Sequence, residues 1–386
     1  AGADFGSQEV GWTLTANEPC HLSIINDNGM VNWTKVSSTY GPFVSTVELS
    51  DGITTIPDRA FYKCSILTTI EIPATVTTIG SGGVFVRCTG LTSITVAENN
   101  ANFTAEDGIL YNKNKTELLI CPQGKSGVVE IPSSVTEIGS YAFSGCTKIT
   151  SVTIPEGVTS IGNAAFEGCT GLTSVTLPAS LTSLGDGVFQ DCTGLTSLSV
   201  ASGNTAYTAE GGVLYDSGKT KLLFYPAEKT DTTFTVPDSV TAIEDNAFNE
   251  NSHLQTVSAN ALASIGDGAF LNCTSLTSFT AQSMETVGAQ AFSGCSQLAT
   301  FTLEDEDSLT TIGEEAFSGC GVLTAAPLSG AATIGDSAFQ NCTALTSLSF
   351  CETGSVDIGE SAFSGCTGLT ALTIPASVTS IGAKAF

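Results

Sequence analysis

Positive charge is scarce in this chain. Its 386 residues carry 12 Lys and Arg against 38 Asp and Glu, a formal net charge of −26. So acidic a body repels phosphate backbones and anionic lipid heads, which excludes nucleic acid and membrane surfaces as partners by bulk electrostatics. Charge of either sign is thin, at 13% of residues, where ordinary domains carry about 25%. No apolar run reaches the roughly 18 residues of a membrane span, so no direct membrane insertion is expected. Nothing reads as a signal peptide. The chain opens at Ala1 and stops inside a recurring motif at Ala385-Phe386. It is therefore expected to be a fragment truncated at its C-terminus, with export signal and anchor outside it.

Signatures of catalysis are equally sparse. His21 and His253 are the two histidines; neither lies in an H-E-x-x-H pattern, and both read as surface or packing residues. Gly124-Lys125-Ser126 ends like a P-loop, but Leu119 stands where the first glycine belongs. Ile79-Gly80-Ser81-Gly82-Gly83 lacks a dinucleotide-binding context. Glu304-Asp305-Glu306-Asp307 lacks the alternating ligands and glycine of a calcium loop and reads as a solvated acidic turn. The expectation is no enzyme, no catalytic residues, no cofactor and no metal.

What the chain has is repetition. A phenylalanine recurs at Phe61, Phe85, Phe143, Phe166, Phe189, Phe248, Phe270, Phe292, Phe317, Phe339, Phe363 and Phe386, mostly 22 to 25 residues apart. Such a period marks a stacked array of coils. In Leu172-x-x-Val175-x-Leu177, three apolar side chains point inward from a short strand while Thr173, Ser174 and Thr176 face out. Leu369-x-x-Leu372-x-Ile374 is expected to do the same. Pro178 or Pro375 ends the strand, a second extended piece follows, and Gly turns the chain toward the Ala-Phe plug. Residues 1–56 lack the full motif. Trp12-Thr-Leu14, His21 to Ile25, Met30 to Trp33 and Val44 to Leu49 read as strands and turns of an N-terminal cap. Residues 57–386 hold about 11 repeats. The fold class is a mainly β repeat solenoid with short parallel strands, few helical turns and two β-hairpin insertions.

Ten of the 13 cysteines lie three residues after a repeat Phe: Cys64, Cys88, Cys146, Cys169, Cys192, Cys273, Cys295, Cys320, Cys342 and Cys366. Cys20, Cys121 and Cys351 do not. An odd count leaves at least one free thiol in a monomer. Buried thiols acting as small hydrophobes, disulfides between coils and a metal site stay open as readings, although no C-x₂-C spacing occurs. Many free thiols would suit an anoxic habitat.

The two long intervals, near 97–130 and 201–234, each add about 35 residues. They resemble each other: Phe103-Thr-Ala-Glu-Asp-Gly-Ile-Leu-Tyr111 aligns with Tyr207-Thr-Ala-Glu-Gly-Gly-Val-Leu-Tyr215. Each reads as a hairpin leaving the solenoid and carries three of the 12 basic residues. Tyr111, Lys113, Lys115, Tyr215, Lys219 and Lys221 are therefore candidate partner contacts, against the alternative of an irregular coil. Thr173, Ser174 and Thr176 represent a second candidate, a hydroxyl-rich strand face, although Thr also simply suits exposed strands.

The motif Ile154-Pro155, Val158-Thr-Ser-Ile161-Gly162, Ala165-Phe166 and Cys169 resembles the BspA-like type of leucine-rich repeat, found on bacterial and some protozoan surfaces. The resemblance covers about 330 residues. Asn251 in place of Cys, Ala326-Pro327 within a strand and units without Ile-Pro depart from it and should be locally less regular. The resemblance implies a right-handed superhelix in a secreted or surface-attached protein. It would bind extracellular or host proteins as an adhesion or recognition module and is expected to be a monomer. Alternatives are a structural spacer presenting a further domain and a carbohydrate-binding module. The latter requires Trp12, Trp33, Tyr111 or Tyr215 to be solvent-exposed platforms for glycans.

Overall fold

The computed structural model describes residues 5–7, 11–15 and 20–386, the first three by their backbone. The remainder of the expected cap lies outside the described residues. The chain divides into two compact units, residues 1–194 with 201–204, and residues 195–200 with 205–386. Both are β-solenoids.

One coil of the first unit shows why the sequence closes on itself. In the strand Ser174–Leu177, Val175 and Leu177 are buried while Ser174 and Thr176 face outward. Pro178 ends the strand, since it has no N–H to give a ladder. Ser183–Leu184 then pairs in parallel with Ser160–Ile161 of the preceding coil. Gly185 follows because the chain passes close to that coil: a Cβ there would sit 2.5 Å from the Asn163 backbone nitrogen. Phe189 plugs the core between two left-handed residues, Gly187 (φ +60°) and Asp191 (φ +56°). The same pair of left-handed positions brackets the plug in other coils, which favours Gly and Asn there.

The first unit begins with Phe5–Ser7, Trp12–Leu14 and Cys20–Ile24 in antiparallel order, with Val44–Leu49 added in parallel. Met30 to Trp33, expected as extended, is helical within Asp27–Thr34. Asn26 caps that helix by accepting a hydrogen bond from the Gly29 N–H at 2.8 Å, and Met30 and Trp33, three apart, share its buried face. Their side chains continue into the apolar layer of Ile53, Ile56 and Phe61, so the cap covers the first coil.

The second unit has a ten-stranded sheet running from Tyr207–Glu210 to Val378–Ile381 and a four-stranded parallel sheet of Thr233–Thr235, Thr256–Ala259, Ser278–Ala281 and Thr300–Leu303. No strand follows Leu303 in the smaller sheet, because the next segment contains Pro327. The strand expected at Leu369 to Ile374 is absent as well. Leu372 and Ile374 are 39% and 40% exposed, so their expected inward orientation is not found: the segment has no ladder partner to set its pleat.

Two columns hold the coils together. The plug rings stack face to face: in the second unit Phe248, Phe270, Phe292, Phe317, Phe339 and Phe363 lie 4.5–5.3 Å apart. That matches the step of about 4.8 Å between neighbouring strands. Beside them, eight of the ten ladder thiols donate to the Phe carbonyl of the coil before, and Cys146 donates instead to Cys121 O at 3.5 Å. Cys192 Sγ reaches Phe166 O at 3.0 Å, Cys295 reaches Phe270 O at 3.0 Å and Cys342 reaches Phe317 O at 3.1 Å. Asn251 takes this slot with its amide, donating to Pro226 O and Ala227 O at 3.1 and 3.0 Å. All 13 cysteines are free thiols, 11 of them buried, which decides against the disulfide reading: the side chains aim along the stack at carbonyls.

Burial pushes the Cys192 thiol up to about 12, and those of Cys169 and Cys320 well above their usual value of 9.0. An acid held neutral by the fold contributes stability that is complete below its unfolded value and is lost as pH rises beyond it. Stability is thus expected to be level up to about pH 8 and to fall above pH 9, by about 1.4 kcal/mol per pH unit for each buried thiol, in urea titrations between pH 7 and 11. In the native protein at neutral pH, alkylation read by peptide mass should mark Cys20 and Cys351 and spare the ladder; ladder labelling as fast as in urea would refute the packing described.

Candidate recognition surface

The first insertion is built into its unit. Phe103–Glu106 and Ile109–Asn112 pair antiparallel, and Glu117–Ile120 returns antiparallel and continues the solenoid by pairing in parallel with Glu137–Ile138. The hairpin tip reaches across to the outer strand Ser93–Val96, where Ile94 N–H donates to Gly108 O at 2.9 Å. Ile109, Leu110 and Tyr111 are consecutive and all buried, so both faces of this strand are covered. The expected hairpin leaving the solenoid is instead a wedge between coils. It parts Ser93–Val96 from Gly127–Glu130, which lie in separate two-stranded sheets. The physical reason is its apolar run, which could not be left in water.

The candidate lysines are engaged within the chain. Lys115 pairs with Glu106, and Lys113 Nζ donates to Asn100 O at 2.5 Å. Lys125, from the P-loop-like stretch, binds Asp107 Oδ2 at 2.8 Å and ties down the hairpin tip. The second unit repeats the scheme. Val213, Leu214 and Tyr215 are buried, Lys219 pairs with Glu210, and Lys221 pairs with Glu244 at 2.8 Å. Burial raises the Tyr215 phenol to about 12. Tyr225 of this insertion stacks on Phe248 at 4.7 Å and so starts the plug column.

Tyr111 and Tyr215 are thus 1% and 2% exposed, and Trp12 and Trp33 are 8% and 0%. None of the four rings can serve as a sugar platform. The tryptophans pack edge to face at 5.3 Å inside the cap.

The strand face is open. Thr173, Ser174 and Thr176 are exposed. In the second unit, register brings hydroxyls into two rows. Thr233, Thr256, Ser278 and Thr300 form one, and Thr235, Ser258, Thr280 and Thr302 form the other. The four strands contain no charged residue. Ser258 bonds Thr235 at 3.2 Å, whereas Thr280, Thr300 and Thr302 have no hydroxyl partner among the described residues. Elsewhere hydroxyls are used internally: Thr159 donates to Thr136 O and Thr182 to Thr159 O, each at 3.2 Å. The motif alone made the outward Thr visible, but the pairing that aligns them needed the structure.

Residues 40–126, 125–211, 220–346 and 263–386 match the BspA type leucine-rich repeat region. The chain belongs to the BspA-type leucine-rich repeat family. Among solved structures, this BspA-type protein is similar to a leucine-rich cell surface protein of Faecalibacterium prausnitzii, with 25% identity over 91% of this chain and 95% of that one and a TM-score of 0.60. It shares its fold with a leucine-rich repeat protein of Eubacterium ventriosum (23% identity, 96% and 93% covered, TM-score 0.53). It also shares it with the pneumococcal vaccine antigen PcpA (19% identity, 99% and 94% covered, TM-score 0.51). A search of curated proteins finds no match. No helix among the described residues is long and apolar enough to cross a membrane.

If the hairpin of this BspA-type protein is a structural wedge, Tyr111→Ala should cost about 3–5 kcal/mol, as large aromatic truncations in cores do. Lys115→Ala, which breaks an exposed ion pair, should cost at most about 1 kcal/mol. Urea unfolding followed by circular dichroism compares them; equal and small losses would mean that the hairpin is not packed as described.

Proposed function

We propose that this chain is the recognition part of a bacterial protein that is secreted or attached to the cell surface, and that it binds extracellular or host proteins without catalysis. The observation that carries this reading is the uncharged sheet of the second unit with its two hydroxyl rows. Such a face offers many weak, geometrically regular hydrogen-bond sites, which suits binding strengthened by multivalency. The hairpin lysines support it by default, since their charges are committed within the chain. The Faecalibacterium cell surface protein, similar over nearly its whole length, supports the location.

The test is a binding screen of the folded chain against immobilised extracellular-matrix and plasma proteins, together with the double variant Thr280→Lys/Thr302→Lys. Both side chains point outward, so the variant should keep its fold, confirmed by circular dichroism. Saturable binding to a protein, weakened at least tenfold in the variant, is the expected result. Equal binding by the variant would move the site off this face. No saturable protein binding would sink the recognition reading and favour the spacer.

A further inference from the structure

In this acidic chain, three cations gather where no carboxylate answers them. Arg59 and Arg87, the chain's two arginines, and Lys63 surround the ring of Tyr62. Their charged groups lie 5.9, 5.9 and 5.3 Å from its centroid. Neighbouring coils set this arrangement: Phe61 N–H donates to Val84 O at 3.0 Å and Lys63 N–H to Val86 O at 2.9 Å, which stacks Lys63 beside Arg87. Among the described residues none of the three has an ion-pair or hydrogen-bond partner from its side chain. Asp58, next to Arg59 in sequence, has its carboxylate committed to the Gly82 N–H at 2.7 Å, and Glu71, the other acidic residue between Arg59 and Arg87, makes no ion pair with the cluster among the described residues. The hairpin lysines, by contrast, bind the chain's own oxygens.

The cluster is also costly to keep. Like charges one coil apart repel. Lys63 and Arg87 occupy left-handed backbone, φ +64° and +62°, and Arg59 does so at +56°. Five other coils fill the Lys63 position with Gly145, Gly168, Gly294, Gly319 and Gly365, the residue that this conformation favours, and four with Asp191, Glu250, Asn272 and Asn341; none of these nine is a cation.

We infer that Arg59, Lys63, Arg87 and Tyr62 bind the acidic terminal sugar of an otherwise neutral glycan, through its carboxylate or sulfate ester. Guanidinium groups pair such oxyanions in a bidentate fork, and the Tyr62 hydroxyl, without a partner among the described residues, can donate as well. The body's charge of −26 argues for a single anionic group. A polyanion or an acidic protein meets repulsion along its whole length. One compact anion feels mainly the charges within a Debye length of about 8 Å. Ser65 and Thr89, two residues beyond Lys63 and Arg87 in sequence, are uncharged and partly or fully exposed, which suits neutral sugar hydroxyls.

The test is an array of matched glycans that differ in the terminal residue: a carboxylate sugar, a sulfate ester, or the neutral parent. It is probed with the intact chain and with the variant Arg59→Gly/Lys63→Gly/Arg87→Gly. Glycine stands at these positions in several other coils, among them Gly83 and Gly187 at the Arg59 position and Gly145 and Gly168 at the Lys63 and Arg87 position, and it relieves left-handed backbone, so the variant should fold with an unchanged or higher melting temperature. The expected result is binding to acid-terminated glycans over the neutral parent, weakened by salt and lost at least tenfold in the variant; the carboxylate and sulfate arms identify the group. Equal binding of acidic and neutral glycans, equal binding by wild type and variant, or no glycan binding would overturn the inference. So would capture of an acidic peptide in place of a glycan by the same cluster. The site stands apart from the hydroxyl face, and Thr280→Lys/Thr302→Lys should leave glycan binding unchanged, so each reading can fail without the other.

Discussion

The step from one coil to the next is the constraint on which each unit depends. At about 4.8 Å it is at once the spacing of a hydrogen-bonded parallel ladder and a comfortable distance between stacked aromatic rings. A coil cannot bury its own apolar face, so each Phe finds its neighbours only in the coils before and after. The thiol beside it closes the arrangement by satisfying a carbonyl of the preceding coil. A weak donor serves there because the slot is small and dry. Where the slot holds Asn251, the amide makes the same connection with more bonds.

The same constraint explains the insertions. An extra segment cannot be added to a coil without changing its cross-section, unless it lies between coils and is covered on both sides. Ile109-Leu110-Tyr111 and Val213-Leu214-Tyr215 meet that demand, three buried residues in succession where an exposed hairpin would alternate. Their lysines then fold back on the chain's own oxygens, five of the six on carboxylates and Lys113 on the Asn100 carbonyl. Aromatic and basic residues, which on a loop would suggest contact with a partner, here fasten a wedge.

Much of this was legible in the sequence. The period of Phe and Cys announced the solenoid, and Leu172-x-x-Val175-x-Leu177 predicted its own alternation correctly. Three features were not legible for physical reasons. The cap helix hides because Asp27–Thr34 is only eight residues long and buries just two large apolar side chains, Met30 and Trp33, too few to establish a period. The hairpin's burial depends on coils distant in sequence covering its second face. The cation cluster is spread over Arg59, Lys63 and Arg87, 28 residues apart at its ends, and only the coil step makes neighbours of them. The Leu369 to Ile374 segment matched the motif yet formed no strand, since a strand also needs a partner.

The buried thiols carry a consequence for the order of events in the life of the chain. A cysteine aimed at a carbonyl inside the folded stack is out of reach of oxidants and of other cysteines. The same 13 thiols on an unfolded chain offer many wrong pairings. The hazard therefore belongs to the interval between synthesis and closure of the coils. The ladder thiols are sheltered by coils only some 25 residues away in sequence, and contacts this local form quickly. Each docking coil that carries a ladder cysteine removes it from the race, so the fold itself supplies the protection that the composition lacks.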